Sequence, residues 1–487
     1  MLLLELGSTY RWWRDDRRRD ATAAIALLGL GALAKGRVAP TLVTTTVGLF
    51  LLWQRDVRLA TATGRVGALE RSTLVPVEGR RRSESRGSSH RRSATRFYIC
   101  TASLYEEYTT LLELSIRLEK RLKREVFRLL NGRVSAKSVD PSTNDLARCR
   151  RVLFVRVNVR MGNLLLVTPA LGALRQAFPN ARLDVLCYET YADLLAHDPD
   201  VDRVLGFHRL MLCNPWALGR LVRTLRRERY DLVVEGARGA SLFGAILVAM
   251  SGGRYRVGAA GSHYQAFFNV QVPRRPNVEH KVDLLLAFLE GLGVAPVTRS
   301  LKVVLTDAER ARAQARRRAW GLQASDKTVG IIVGGRGDKR WPHEQLLEVI
   351  RDIQARPGVA VVLFPGPKER REATRLKREL IRPVFVAPQL GIRDFAALLS
   401  SCTLVVSRDT GPMHLAAAVG VPTVAVFHTT KARSYAPRGP LHRAVQIEGT
   451  SGIEGVGDAI SEALARAAVA RAPTMAEPSM PSPPTAR

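Results

Sequence analysis

Three short stretches in the second half of this chain carry residue types that hold a phosphorylated ligand. Between Ser407 and Ala418 the chain reads Ser-Arg-Asp-Thr-Gly-Pro-Met-His-Leu-Ala-Ala-Ala, directly after the apolar run Leu404-Val405-Val406. A buried strand that turns on Asp409-Thr410-Gly411-Pro412 and launches an Ala-rich helix containing His414 aims free backbone N–H groups at an anion. Upstream, Gly334-Gly335-Arg336-Gly337-Asp338-Lys339-Arg340-Trp341-Pro342 combines glycines that permit close backbone approach with a cation at Lys339, which suits a diphosphate. Between them, Phe364-Pro365-Gly366-Pro367-Lys368-Glu369 offers a Glu369 carboxylate able to accept from both hydroxyls of a ribose. Each stretch alone also fits an ordinary turn, with Thr410 a plain N-cap, Lys339 a solvated charge and Glu369 a first-turn acid favoured by the helix dipole. Their shared position at strand ends is what favours a nucleotide site.

The elements that must position these loops are legible as alternating short apolar runs and helical periods. Val152 to Val157 reads as a buried strand, Met161-Gly162-Asn163 as its turn, Leu164 to Phe178 as one helix and Ala181 to Cys187 as the next strand. A second series begins at Thr328 to Val333. It continues through helix His343 to Gln354, strand Val359 to Phe364, helix Glu369 to Leu380, helix Ile392 to Ser400, strand Thr403 to Val406, helix Pro412 to Val419 and strand Thr423 to Phe427. Such alternation predicts parallel sheets covered on both faces, and two series in succession predict an α/β protein of two doubly wound, Rossmann-like domains, at 151–300 and 301–470. His280 to Gly293 reads as a helical connection leading to a seam near 295 to 305.

The first 150 residues have a different texture. Two apolar runs, Ala21 to Ala34 and Val38 to Trp53, are separated by Lys35-Gly36-Arg37, and neither reaches the roughly 20 residues of a membrane-crossing helix. Basic flanks predict a membrane-associated hairpin over 1–60 with both ends cytoplasmic. Residues 61–104 read as a basic disordered linker able to lie on anionic headgroups, 105–150 as an amphipathic helical segment, and the proline-rich 471–487 as a disordered tail.

The chain carries 75 Lys+Arg against 44 Asp+Glu, a formal net charge of +31, which favours a polyanionic neighbour. No zinc spacing, RNA-binding signature or aromatic-interleaved basic stripe is present, which argues against nucleic acid. Five isolated cysteines without CxxC spacing fit reduced thiols in a cytoplasmic protein.

In spacing and order the loops resemble glycosyltransferase family 9, the ADP-heptose:lipopolysaccharide heptosyltransferases of GT-B fold. The resemblance covers roughly residues 151 to 465. It rests on Gly162-Asn163-Leu164-Leu165-Leu166-Val167-Thr168-Pro169-Ala170-Leu171, Lys339-Arg340-Trp341-Pro342, Gly366-Pro367-Lys368-Glu369 and, most specifically, Asp409-Thr410-Gly411-Pro412-Met413-His414-Leu415-Ala416-Ala417-Ala418. His280-Lys281-Val282-Asp283 before Leu289-Glu290-Gly291-Leu292-Gly293 is similar to the family's domain-joining helix. The resemblance implies a nucleoside-diphosphate sugar donor, ADP-linked, with Lys339 on phosphate and Glu369 on the ribose. Asp409, the Thr410-Gly411 backbone and His414 would serve the diphosphate and sugar end. It also implies Gly162 and Thr168 in an acceptor-side loop, a glycolipid or polysaccharide acceptor at the inner-membrane surface, no required cofactor and no metal.

One departure stands out. The family carries Asp after the first-loop Gly, and its carboxylate is taken as the base that deprotonates the acceptor hydroxyl. Here the position is Asn163. An amide orients a hydroxyl but cannot take its proton. Asp193, His263 and His280 are candidate replacements, and inverting transfer is expected. Two alternatives stay open at this level: a sugar-nucleotide-binding homologue that lost its base, and a sugar-nucleotide epimerase, which would need its own cleft carboxylates.

Overall fold

A computed structural model describes residues 139, 143–208, 211, 214–236, 241–323, 325–335, 337–447, 453 and 455–471. The hairpin expected at 1–60, the linker at 61–104, most of the helical segment at 105–150 and the tail beyond 471 lie outside the described residues. The described residues within 134–208 and 222–487 belong to one compact unit, which holds both sheets described below.

The first sheet comprises β1 (Arg151–Arg156), β2 (Arg182–Tyr188), β3 (Arg203–Phe207), β4 (Leu232–Glu235), β5 (Tyr255–Ala259) and β6 (Val270–Val272), in the order β3-β2-β1-β4-β5-β6. The second comprises β7 (Lys327–Ile332), β8 (Val359–Phe364), β9 (Phe385–Val386), β10 (Leu404–Arg408), β11 (Thr423–Phe427) and β12 (His442–Gln446), in the order β12-β11-β10-β7-β8-β9. Every pairing is parallel. Each sheet therefore reverses its winding between its first and fourth strands, β1/β4 and β7/β10, which opens a crevice at the carboxyl ends of those strands. Strands buried on both faces need no polar alternation, and β4, β10 and β11 are buried along their whole length.

The helices are α1 (Thr143–Ala147), α2 (Met161–Leu165), α3 (Thr168–Ala177), α4 (Pro215–Arg227), α5 (Leu242–Met250), α6 (Lys281–Glu290), α7 (Asp307–Ala319), α8 (His343–Ala355), α9 (Arg370–Glu379), α10 (Ile392–Ser400), α11 (Gly411–Ala418), α12 (Ala432–Tyr435) and α13 (Val456–Arg471). Where the sequence reads as a turn and one helix from Leu164, the chain instead enters α2 at Met161 and breaks at Leu166–Val167 before α3. Pro169 accounts for the break. It has no N–H to continue the α2 ladder, and its fixed φ suits the first turn of a new helix.

Two core clusters lie against the separate sheets, one around Phe154, Leu171, Leu174, Val185, Val234 and Leu289, the other around Val329, Ile331, Ile350, Val406, Val426 and Ile460. A third belongs to both halves: Leu165 and Leu194 pack with Val303, Leu305, Ile332, Val405 and Leu415. The connecting segment is fastened on each side, since Lys302 N–H donates to Thr168 Oγ1 at 3.0 Å and Val303 N–H to the Ala418 carbonyl at 2.8 Å. These bonds hold α2 against α11, so the carboxyl edges of the two sheets meet at two helix starts.

Candidate active site

At the second sheet's edge, Lys339 reaches from the loop after β7 to pair with Asp409 at the end of β10. Thr430, just beyond β11, donates its hydroxyl to the same Asp409 oxygen at 2.6 Å. The Asp409 side chain is 7% exposed and that of Lys339 33%, so the carboxylate is enclosed while the ammonium keeps an open side. Asp409 thus orients the cation, and Lys339 is the group that can meet an anion. The Tyr435 ring lies 5.9 Å from Lys339 Nζ and 5.1 Å from Lys281 Nζ, which places a second cation, from the start of α6, on the same aromatic face region.

Thr410 caps α11, its Oγ1 accepting from the Met413 N–H at 3.4 Å and lying 3.1 Å from Ser407 Oγ. Pro412 in the first turn withdraws one donor that no capping group needs to satisfy. His414 follows, 4% exposed, and its Nδ1 has no hydrogen-bond partner among the described residues. Burial pushes its pKa down to about 4, so the imidazole is neutral at pH 7. It packs on Gly162 of α2: a Cβ at that position would come within 2.7 Å of His414 Cδ2, so only glycine permits this approach. The unpartnered Nδ1 lies on the ring edge away from Gly162, which approaches Cδ2 and Nε2, and a buried polar atom left without a bond calls for an explanation.

Glu369 is the N-cap residue of α9, its side chain 12% exposed. Its carboxylate lies over the glycines of two loops: a Cβ would come within 2.5 Å of Oε2 at Gly366 and 3.4 Å at Gly334. Arg340 Nη2 stands 3.5 Å from the other oxygen. Trp341 and His428, each next to these strand ends, also bury an unpartnered ring nitrogen.

The first sheet's edge is equipped differently. Asn163 sits half-buried in α2, and its carbonyl accepts from Arg156 Nε at 3.2 Å, while Arg156 Nη1 donates to the Gly236 carbonyl. Arg156 ends β1, and Glu235, 3% exposed, ends β4 in register with Val155. Burial lowers the Arg156 pKa and the nearby Glu235 charge opposes that shift. Glu235 Oε1 accepts from the Ser241 N–H at 3.4 Å at the start of α5. A carboxylate is therefore present at this switch point, although it is none of those singled out from sequence.

Thr168 does not face the crevice. Its buried hydroxyl donates to the Leu165 carbonyl at 2.8 Å and accepts from Lys302 N–H, so it fastens the connecting segment. Of the replacement bases, His280 is 4% exposed and caps α6, Nδ1 accepting from the Val282 N–H at 3.3 Å and Nε2 donating to the Ala436 carbonyl at 2.9 Å. Both ring nitrogens are engaged. Asp193 and His263 are exposed, and neither is brought to the Asn163 loop by a recorded contact. Sequence reasoning passed over Thr430, Tyr435, Lys281, Arg156 and Glu235. The last two end strands β1 and β4, where the switch-point rule would have found them.

Among the described residues no group of three His, Cys, Asp or Glu side chains is arranged to hold a metal ion, and no helix is long and apolar enough to cross a membrane. Cys149, Cys187 and Cys402 are buried thiols outside any disulfide, and burial raises the pKa of the first two, to about 11 and about 12.

Residues 218–452 match the profile of glycosyltransferase family 9 (heptosyltransferase). Lipopolysaccharide heptosyltransferase 3 of Escherichia coli K12 is 27% identical over 289 residues, 55% of this chain and 80% of that protein. Among solved structures, the glycosyl transferase family 9 protein of Veillonella parvula is similar at TM-score 0.57 and 21% identity, over 65% of this chain and 97% of that one. The E. coli heptosyltransferase WaaC with ADP-2-deoxy-2-fluoro heptose is similar at TM-score 0.51 and 25% identity, over 65% and 99%. With two parallel six-stranded sheets of one topology and the motifs gathered where their carboxyl edges meet, the chain is similar in sequence and in fold to the heptosyltransferases of glycosyltransferase family 9.

Proposed function

We propose that this glycosyltransferase moves a heptose-like sugar, with inversion and without an obligatory metal, from an ADP-linked donor to a lipopolysaccharide or related glycolipid at the cytoplasmic face of a membrane. The observation that carries the reading is the Lys339–Asp409–Thr430 cluster beside His414, whose buried Nδ1 is unpartnered. The names of the relatives support it: one acts on lipopolysaccharide, and a similar structure holds an ADP-heptose analogue.

On this reading residues 301–470 form the donor domain and 151–300 the acceptor domain. Glu369 accepts from the ribose hydroxyls, Lys339 and the start of α11 face the diphosphate, and neutral His414 bonds a sugar or phosphate oxygen. The acceptor hydroxyl attacks the anomeric carbon while the bond to the diphosphate oxygen breaks. Negative charge then grows on the leaving group, where Lys339 and the α11 N-terminus stabilise it. Asn163 orients the acceptor. Its amide takes no proton, and we assign that task to Glu235, at the same switch point.

The test is an ADP-sugar panel with delipidated and intact glycolipid acceptors, monitored for release of ADP and transfer of sugar. Replacing Lys339 by Ala is expected to weaken ADP binding by about 1–3 kcal/mol, the loss of a charged hydrogen bond. Unchanged affinity would remove the cluster from the donor site. Binding of ADP-sugars without turnover on any acceptor would reduce the protein to a sugar-nucleotide binder.

A further inference from the structure

Helix α9 runs Arg-Arg-Glu-Ala-Thr-Arg-Leu-Lys-Arg-Glu and divides into three sectors on a 3.6-residue repeat. Ala373 and Leu376, with the cap Leu380, face the core. Glu372 and Glu379 both turn to His343 at the start of α8, their oxygens 2.6 and 2.8 Å from its two ring nitrogens, and Arg375 adds a second bond to Glu379 at 2.8 Å. The acids of this helix are thereby consumed. The third sector holds Arg370, Arg371, Thr374, Lys377 and Arg378, all exposed, and none of these four cations has an ion pair among the described residues. Directly after it comes Ile381, 99% exposed, the most exposed large hydrophobic side chain among the described residues, followed by Arg382.

We infer that the outer face of α9, with Ile381 as its apolar tip, docks on the surface of an anionic lipid bilayer. Unpaired cations on one face are attracted by an acidic leaflet, each worth about a five-fold gain in partitioning. An aliphatic side chain standing in water beside them gains by entering the interface. A soluble polyanion would satisfy the cations but give Ile381 nothing. The choice of a bilayer also rests on the glycolipid acceptor proposed above. Because Glu369 caps α9, docking along this face would set the proposed donor crevice next to the membrane. Glu372 and Glu379, held by His343, keep their charge off the docking face.

The experiment uses the full chain with phosphatidylglycerol-containing vesicles, neutral phosphatidylcholine vesicles and soluble polyphosphate. Hydrogen exchange in residues 370–382 is expected to slow on anionic vesicles only. Combined Arg371→Glu, Arg378→Glu and Ile381→Ser substitution should abolish that slowing and weaken vesicle partitioning at least ten-fold. Transfer to a delipidated acceptor by the same variant should be unchanged, with transfer to a vesicle-embedded acceptor falling. Bound vesicles with unaltered exchange in 370–382 would overturn the proposal, since another part of the chain would then dock. So would slowing by polyphosphate alone, which would make the face a polyanion site. Vesicle protection in a protein that transfers no sugar would sustain the docking face and remove the transferase reading instead.

Discussion

The two sheets wind identically, yet their carboxyl edges are furnished in opposite ways. The second edge gathers Lys339, Asp409 and Thr430 from the loops after three neighbouring strands, β7, β10 and β11, into one bonded cluster with a partly exposed cation. The first edge spends its cation internally: Arg156 is engaged by the carbonyls of Asn163 and Gly236, and the carboxylate Glu235 is buried. On the function proposed above, one edge would neutralise an anion and the other would hold a hydroxyl near an acid–base group. Topology set the position of both crevices, and loop chemistry separated their tasks.

The sharpest way to break this contrast is to remove one charge from each edge. Glu235→Gln is expected to lower kcat about 100-fold or more, as loss of a general base does, with ADP affinity unchanged. Lys339→Ala or Asp409→Ala should do the reverse, weakening ADP binding about ten- to hundred-fold in titration calorimetry. If Glu235→Gln weakens ADP instead, the two edges are not divided by task.

Next in size is Gly162→Ala, which drives a methyl into His414 Cδ2 across the junction of the halves. A buried clash of this kind costs about 1–3 kcal/mol, to be read as reduced stability in urea together with raised KM for the donor. Unaltered KM would mean that the α2–α11 approach does not shape the donor site.

A pH series of urea unfolding distinguishes groups within the second half. His414 and His442 are held neutral by burial at about 4, below the value of about 6.5 in an unfolded chain. Their contribution is full above pH 6.5 and is lost as pH falls from there towards 4, because the unfolded state takes up the proton first. His343 behaves oppositely, since Glu372 and Glu379 raise its pKa; its contribution is present below 6.5 and lost as pH rises through the elevated value. His414→Gln should flatten the acid side of the stability profile and His343→Gln the alkaline side.

The smallest effect is expected at Asn163. Asn163→Asp should change turnover only a few-fold if Glu235 is the base, because a carboxylate at 163 would then duplicate that group, while Asn163→Ala lowers it modestly. Loss of all activity in Asn163→Asp, with ADP binding intact, would show that the amide itself is required.

Legibility in the sequence followed burial and chain distance. Strands β8 and β11 and helix α10 were readable to the residue, because each is an apolar or amphipathic run bounded by turn residues. Helix α7, Asp307–Ala319, escaped notice because its only apolar residues are alanines. Its signal was the capping box, Thr306 accepting from Glu309 N–H while the Glu309 carboxylate accepts from Thr306 N–H. Edge strand β12, exposed along one side, lacks the apolar run that marks β10 and β11. The loops carrying Lys339, Glu369 and Asp409 could be found one by one, since each follows a readable strand. The bond between Lys339 and Asp409 could not, for 70 residues separate them and only the order β10-β7 brings their strand ends together. The fastening role of Thr168 was hidden for the related reason that its partner, Lys302, lies 134 residues away in the connecting segment.

The core cluster shared by the halves also bears on recombination. Leu165 and Leu194 belong by sequence to one half, yet they are buried among Val303, Ile332, Val405 and Leu415 of the other, and the peptide at 302–303 is stitched to both. A chimera that grafts a donor half from a relative at residue 301 would inherit mismatched side chains on both walls of that seam. Leu165, Leu194 and Thr168 therefore form a heritable unit with the second half, and a graft that carries these three along is expected to fold where a clean cut at the connecting segment fails.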